Sequence, residues 1–192
     1  MMSIALFGTS ADPPTYGHQA IVAWLAQRFD RVAVWAADNP FKSHRAPLDC
    51  RTAMLRVLIE SIEPRPTHVQ VCPDLSHPRT VVVLERARER WPHTQFSLVI
   101  GSDLVAQLPR WYRSADILQF AQLLVIPRPG YPLETAAIEH LADLGARVQV
   151  ADLSSPASSS TAYREAGDRN SIPPEIEAYI RGEQLYLWQN VG

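Results

Sequence analysis

Short apolar runs and stretches of helical periodicity take turns along most of this chain, and that alternation leaves it few folds. Residues 4–7, 31–36, 69–72, 96–100, 123–126 and 147–150 read as strands. Between them, residues 19–29 place Ile21, Trp24, Leu25 and Phe29 on one helical face. Residues 49–62 do the same with Met54, Leu55, Leu58 and Ile62, and residues 80–91 with Leu84, Ala87 and Trp91. A helix over 134–144 ends at Gly145, a C-cap residue type.

Strands separated by helices cannot pair through tight hairpins. They require right-handed crossovers, hence a mostly parallel sheet covered on both faces. About six strands in this order predict an α/β fold: a single Rossmann-like, doubly wound domain over residues 1–192. Ligands of such sheets sit beyond the carboxyl ends of the strands, at the switch point. The segments after Phe7, Ile100 and Ile126 therefore fall on one rim.

Composition narrows the function. With 46% hydrophobic and 20% charged residues the chain reads as a soluble globular protein. A net charge of −2 gives no basic field for nucleic acid. Cys50 and Cys72 match no metal spacing and read as reduced thiols of a cytoplasmic protein. No basic-then-apolar export signal is expected, nor any run near the ~20 apolar residues that span a bilayer.

Polar residues gather on the expected rim. Residues 8–18 read Gly-Thr-Ser-Ala-Asp-Pro-Pro-Thr-Tyr-Gly-His, between a strand and a helix start. Unpaired N–H groups at a helix N-terminus favour an anion, and His18 adds a donor or a charge there. After Ile100 come Gly101, Asp103, Trp111 and Tyr112, suited to a ribose and a planar ring, although Asp103 also reads as a helix cap. Pro127-Arg128-Pro129-Gly130 mounts an arginine rigidly, or is a plain turn. The serine-rich stretch 154–164 reads equally as a linker or as a phosphate cradle, with Ser160 or Thr161 capping a helix and Arg164 one turn inside. Lys42, His44 and Arg45 form a short basic cluster: solvated charge, or a clamp if the loop bends over the rim.

Thr15-Tyr16-Gly17-His18 resembles the H/T-x-G-H signature of the adenylyltransferase superfamily. With the other segments, the whole chain resembles the nicotinate-nucleotide adenylyltransferase family. Asn39 and Lys42 are similar to its N-P-x-H-K loop, and Ile100 to Asp103 with Leu108 to Trp111 to I-G-x-D…L-P-x-W. Pro127 to Gly130 matches P-R-P-G, and Ser159-Ser160-Thr161 with Arg164 resembles I-S-[ST]-T-x-x-R. Residues 172–186 resemble its closing motif.

The resemblance implies transfer of AMP from ATP to nicotinate mononucleotide, with Mg²⁺ carried on the phosphates. It assigns catalysis to His18, Thr15 and Arg164. ATP falls to Gly8, Thr9, Ser10, Gly17, His18, Gly101, Asp103, Arg128, Ser159, Ser160, Thr161 and Arg164. The mononucleotide falls to Asn39, Lys42, Thr80, Trp111 and Tyr112. No protein metal ligands, nucleic-acid partner or membrane contact are implied, and a homo-oligomer is left open. This chain departs from the pattern at Thr15, where the family carries histidine, and at Ala11, where it carries phenylalanine. It also has Thr80-Val81-Val82-Val83-Leu84 in place of T-x-D-T-L. An adenylyltransferase for nicotinamide mononucleotide or another phosphate acceptor is one alternative reading; a non-catalytic nucleotide sensor is another.

Overall fold

The computed structural model describes residues 1–39, 43–153, 156 and 158–186. Six strands, β1 (Ser3–Thr9), β2 (Arg31–Ala36), β3 (Val69–Val71), β4 (Gln95–Gly101), β5 (Gln122–Ile126) and β6 (Val148–Val150), form one sheet. Its order is β3-β2-β1-β4-β5-β6, and every pairing is parallel. The chain winds outward from β1 through β2 to β3, crosses back to β4, and winds outward again to β6. The carboxyl ends of β1 and β4 thus flank the switch point.

The four inner strands β2, β1, β4 and β5 bury both faces, so alternate residues serve two cores. Ala5, Phe7, Val32, Val34, Val99 and Leu124 pack on one side with α1 (Tyr16–Ala26), α2 (Leu48–Glu60), α6 (Ser160–Ala166) and α7 (Pro174–Gly182). Ile4, Leu6, Ala33, Trp35, Leu98 and Leu123 pack on the other with α3 (Thr80–Arg90), α4 (Ser114–Phe120) and α5 (Thr135–Asp143). The helices change face where the winding reverses, as right-handed crossovers demand.

Helix α1 begins three residues before the expected start at residue 19. Thr15 is its N-cap, and the ring of His18 at the third helical position accepts the Thr15 N–H. His18 therefore lies inside the first turn rather than ahead of it. The N-cap of α6 is Ser159, not Ser160 or Thr161, and its hydroxyl accepts from the Ala162 N–H. Asp103 is not a cap either: Gly101 occupies that position before a 3₁₀ segment over Ser102–Arg110. Periodicity alone did not predict α4 or α7. Among the described residues, no helix is long and apolar enough to cross a membrane.

Candidate active site

The loop from β1 to α1 is held from beneath by Arg51 of α2. This arginine is only 2% exposed. Its guanidinium donates to the carbonyls of Ser10 (2.9 Å), Ala37 (2.8 Å) and Ala46 (3.2 Å), tying together the loops that leave β1 and β2. Burial lowers its pKa, while the charges of Asp12 and Asp38 oppose that shift. Asp12, equally buried, accepts the backbone N–H groups of Arg45 (2.8 Å) and Ala46 (3.1 Å) and the phenol of Tyr186 (2.6 Å). Between these anchors Ala11 takes a left-handed conformation, φ 47°, costing about 1–2 kcal/mol. The basic segment at His44 and Arg45 thus folds onto the rim, where Arg45 donates to the Arg164 carbonyl (2.8 Å). Lys42 lies outside the described residues.

Upon that base sits His18. Its Nδ1 accepts the Thr15 N–H at 3.0 Å, so in the neutral ring the proton is on Nε2, which donates to the Thr9 hydroxyl at 2.8 Å. Burial lowers its pKa to about 4, and the nearby Arg128 charge adds to the effect. Of the two roles expected for His18, donor or charge, the neutral donor is the one this environment favours.

Thr15 is 1% exposed and its hydroxyl lies 2.9 Å from His18 Nδ1. It faces the histidine from behind, so a direct contact from this hydroxyl to a phosphate does not fit. The serine-rich segment is no loose linker where it is described. Ser158 accepts the Gly17 N–H (2.8 Å), and Ser160 donates to the Pro13 carbonyl (2.7 Å). Arg164 donates to the Asp12 carbonyl (2.6 Å) and to Thr161 (3.1 Å), keeping part of its surface open. The hydroxyls of Ser159, Ser160 and Thr161 are thus engaged in building the wall that holds Arg164.

Gly8 lies inside β1, opposite Trp35 of β2. A Cβ there would come 2.5 Å from the Trp35 ring, so packing of the indole by itself calls for glycine at this position. Gly101 differs. A Cβ on it would strike Asp103 Oδ1 and approach Arg128 Cδ to 2.8 Å. Its bare Cα makes room for an Asp103–Arg128 ion pair at 3.0 Å, which joins the ends of β4 and β5. Asp103 Oδ1 is buried without a hydrogen-bond partner. Ser102 fixes the mount, donating to the Tyr131 carbonyl and accepting the Arg128 N–H.

Thr80 opens α3, and the neighbouring Arg79 stacks on Tyr112 at 4.2 Å, covering one face of that exposed ring. Trp111 is half-buried against the second core. Val83 is 2% exposed in the same core, which explains an apolar residue where the resembling family carries threonine. Asn39 is half-buried at the end of the described loop after β2.

Asp12, Arg51, Ser158 and Tyr186 were not among the residues assigned from the sequence. Asp12 lay within the 8–18 segment, Ser158 within the serine-rich stretch and Tyr186 at the end of the closing motif, but Arg51 carried no signal. The two free thiols, Cys50 and Cys72, have pKa values raised chiefly by burial and are poor nucleophiles. Among the described residues no three His, Cys, Asp or Glu side chains gather as a metal site.

Comparison with known proteins agrees with this geometry. A family profile described as cytidylyltransferase-like matches residues 6–166. A Synechocystis protein named "Probable nicotinate-nucleotide adenylyltransferase" is 44% identical over 96% of this chain and 99% of its own. A Gemmatimonas aurantiaca protein of the same name is 32% identical, over 96% and 92%. In fold, the chain is similar to the Plasmodium falciparum nicotinic acid mononucleotide adenylyltransferase complexed with NaAD, with a TM-score of 0.82, 18% identity, and coverage of 97% and 98%. The chain therefore belongs to the cytidylyltransferase-like family and, within it, to the nicotinate-nucleotide adenylyltransferases.

Proposed function

We propose that this protein transfers the adenylyl group of ATP to nicotinate mononucleotide, releasing pyrophosphate and forming nicotinate adenine dinucleotide. The observation that carries the reading is His18: a neutral imidazole at the first turn of α1, its proton held on Nε2 and directed to the rim beside Thr9. The name of the 44% identical relative supports the same reaction.

The step is a direct displacement. A phosphate oxygen of the mononucleotide forms a bond to the α-phosphorus of ATP. The bond from that phosphorus to the bridging oxygen breaks, and its electron pair leaves with pyrophosphate. Positioning and charge stabilisation suffice for such chemistry, and neither thiol is activated for a covalent route. His18 Nε2–H donates to the α- and β-phosphate oxygens, replacing its bond to Thr9. Thr15 orients the ring. Arg164, on the wall built by residues 158–161, receives the departing phosphates. ATP enters with its Mg²⁺, the phosphates themselves supplying the hard oxygen ligands that ion prefers.

Gly101, Asp103 and Arg128 serve the nucleoside of ATP. A ribose hydroxyl reaching Asp103 supplies the donor that Oδ1 lacks or takes the place of Arg128 at Oδ2. Trp111, with Thr80, Asn39 and the open face of Tyr112, receives the pyridine nucleotide. The test is pyrophosphate release from Mg·ATP with nicotinate mononucleotide, and separately with nicotinamide mononucleotide. Strong preference for the acid supports the proposal. Preference for the amide moves the substrate, and ATP binding without release with either refutes a pyridine-nucleotide transferase and leaves a different acceptor or a nucleotide sensor.

A further inference from the structure

Behind His18 runs a chain of hydroxyls with a backbone N–H, which can only donate, at each end: Gly17 at Ser158 and Thr15 at His18 Nδ1. The Gly17 N–H, an obligate donor at the start of α1, points at Ser158 Oγ (2.8 Å). Having accepted that proton, Ser158 donates its own to Thr15 Oγ1 (3.1 Å). Thr15 in turn donates to His18 Nδ1 (2.9 Å), which already accepts the Thr15 N–H. Every link runs toward Nδ1, and the ring is left with one proton, on Nε2, facing Thr9.

We propose that Ser158 is a positioning residue for the adenylyl transfer: its hydroxyl donates to Thr15 Oγ1 and so strengthens the bond that Thr15 gives to His18 Nδ1, helping to hold Nε2–H as the donor to the reacting phosphates. This rests on the role given to His18 above. The sequence carries a trace of the arrangement. Ser158 precedes Ser159-Ser160-Thr161, where the resembling motif I-S-[ST]-T-x-x-R has isoleucine, and its partner Thr15 stands where that family has histidine. The two departures lie 143 residues apart in sequence and touch through their hydroxyls.

Two measurements test the relay. In the ¹⁵N spectrum of the His18 ring, Ser158→Ala should move Nδ1 toward the position of an unbonded pyridine-type nitrogen, and Ser158→Thr should restore it. In steady-state assays Ser158→Ala should lower kcat about tenfold, the equivalent of one hydrogen bond of about 1.4 kcal/mol, with little change in either KM. In a Thr15→Val background the same substitution should then have no further effect, because the chain runs through Thr15. A Ser158 effect that persists undiminished in Thr15→Val overturns the relay and leaves Ser158 as a clamp on Gly17. An unchanged Nδ1 signal overturns it as well. A displaced Nδ1 signal with unchanged kcat keeps the hydroxyl chain but refutes the catalytic part of the proposal, leaving the role of His18 to be decided by His18→Ala. Ser158→Cys, a near-isosteric weak donor, must shift Nδ1 in the same direction if the alanine variant melts too low to assay.

Discussion

Arg51→Met removes a buried cation while keeping much of its volume. The guanidinium serves three carbonyls, those of Ser10, Ala37 and Ala46, and its charge lies near Asp12. Hydrogen bonds to charged groups are worth about 1.5–3 kcal/mol each, but three on one side chain do not add. The loss of one partner from a buried ionic arrangement, about 3–5 kcal/mol, sets the scale. For a chain of 192 residues each kcal/mol lowers Tm by about 2–4 °C, so the variant should melt about 6–20 °C lower. Arg51→Lys should fall between the two, since an ammonium keeps the charge but cannot fork to carbonyls from separate loops. The assay is thermal unfolding followed by circular dichroism, without nucleotide, because a ligand stabilises by mass action. A fall of less than about 2 °C for Arg51→Met, well below the range that follows from these terms, would mean the hub contributes little and refute the reasoning.

His18→Ala should lower kcat about 10²–10³-fold in pyrophosphate release, the loss typical of one donor to developing charge. In the folded protein without nucleotide, His18 should titrate near pH 4, against 6.5 for the ordinary group. The unfolded chain binds more protons between those values. Its contribution to stability is therefore complete above about pH 6.5 and is lost as pH falls toward 4, a slope that His18→Asn should lack in denaturant titrations at several pH values. Gly101→Ala should raise KM for ATP severalfold by splaying the Asp103–Arg128 pair, with KM for the mononucleotide nearly unchanged; two-substrate kinetics separate them. Trp111→Ala should do the reverse, and equal effects on both substrates would show that Trp111 only packs the core.

The inner strands were legible because each is an apolar run that must be buried on both faces, a demand local enough to read in four to six residues. Winding order followed from crossover handedness. Helix ends were less legible. The start of α1 depends on the ring of His18 reaching back to the Thr15 backbone, and periodicity registers only the apolar face. Candidate site residues could be named from the sequence where a motif surrounds them, as for His18, Asp103 and Arg128. They were missed where chemistry depends on distant partners. Arg51 reads as an ordinary helix surface arginine until the loops after β1 and β2 close over it, and Ser158 as one serine among many until Gly17 and Thr15 meet it. Gly8 has a reason that its motif does not display: the neighbouring strand places the Trp35 ring where a Cβ would lie.

The bond from Tyr186 to Asp12 spans 174 residues, and those from Arg164 and Ser160 to the same loop span 152 and 147. A ribosome adding about 5–20 residues per second needs roughly 9–35 s to pass from Asp12 to Tyr186. Throughout that interval β1, β2 and their helices can form, while the carboxylate that anchors the loop waits for its phenol. Synthesis thus delivers the scaffold first and the closing contact of the catalytic loop almost last. A nascent chain cut short between residues 165 and 185 carries the whole sheet and lacks the bond from Tyr186 to Asp12.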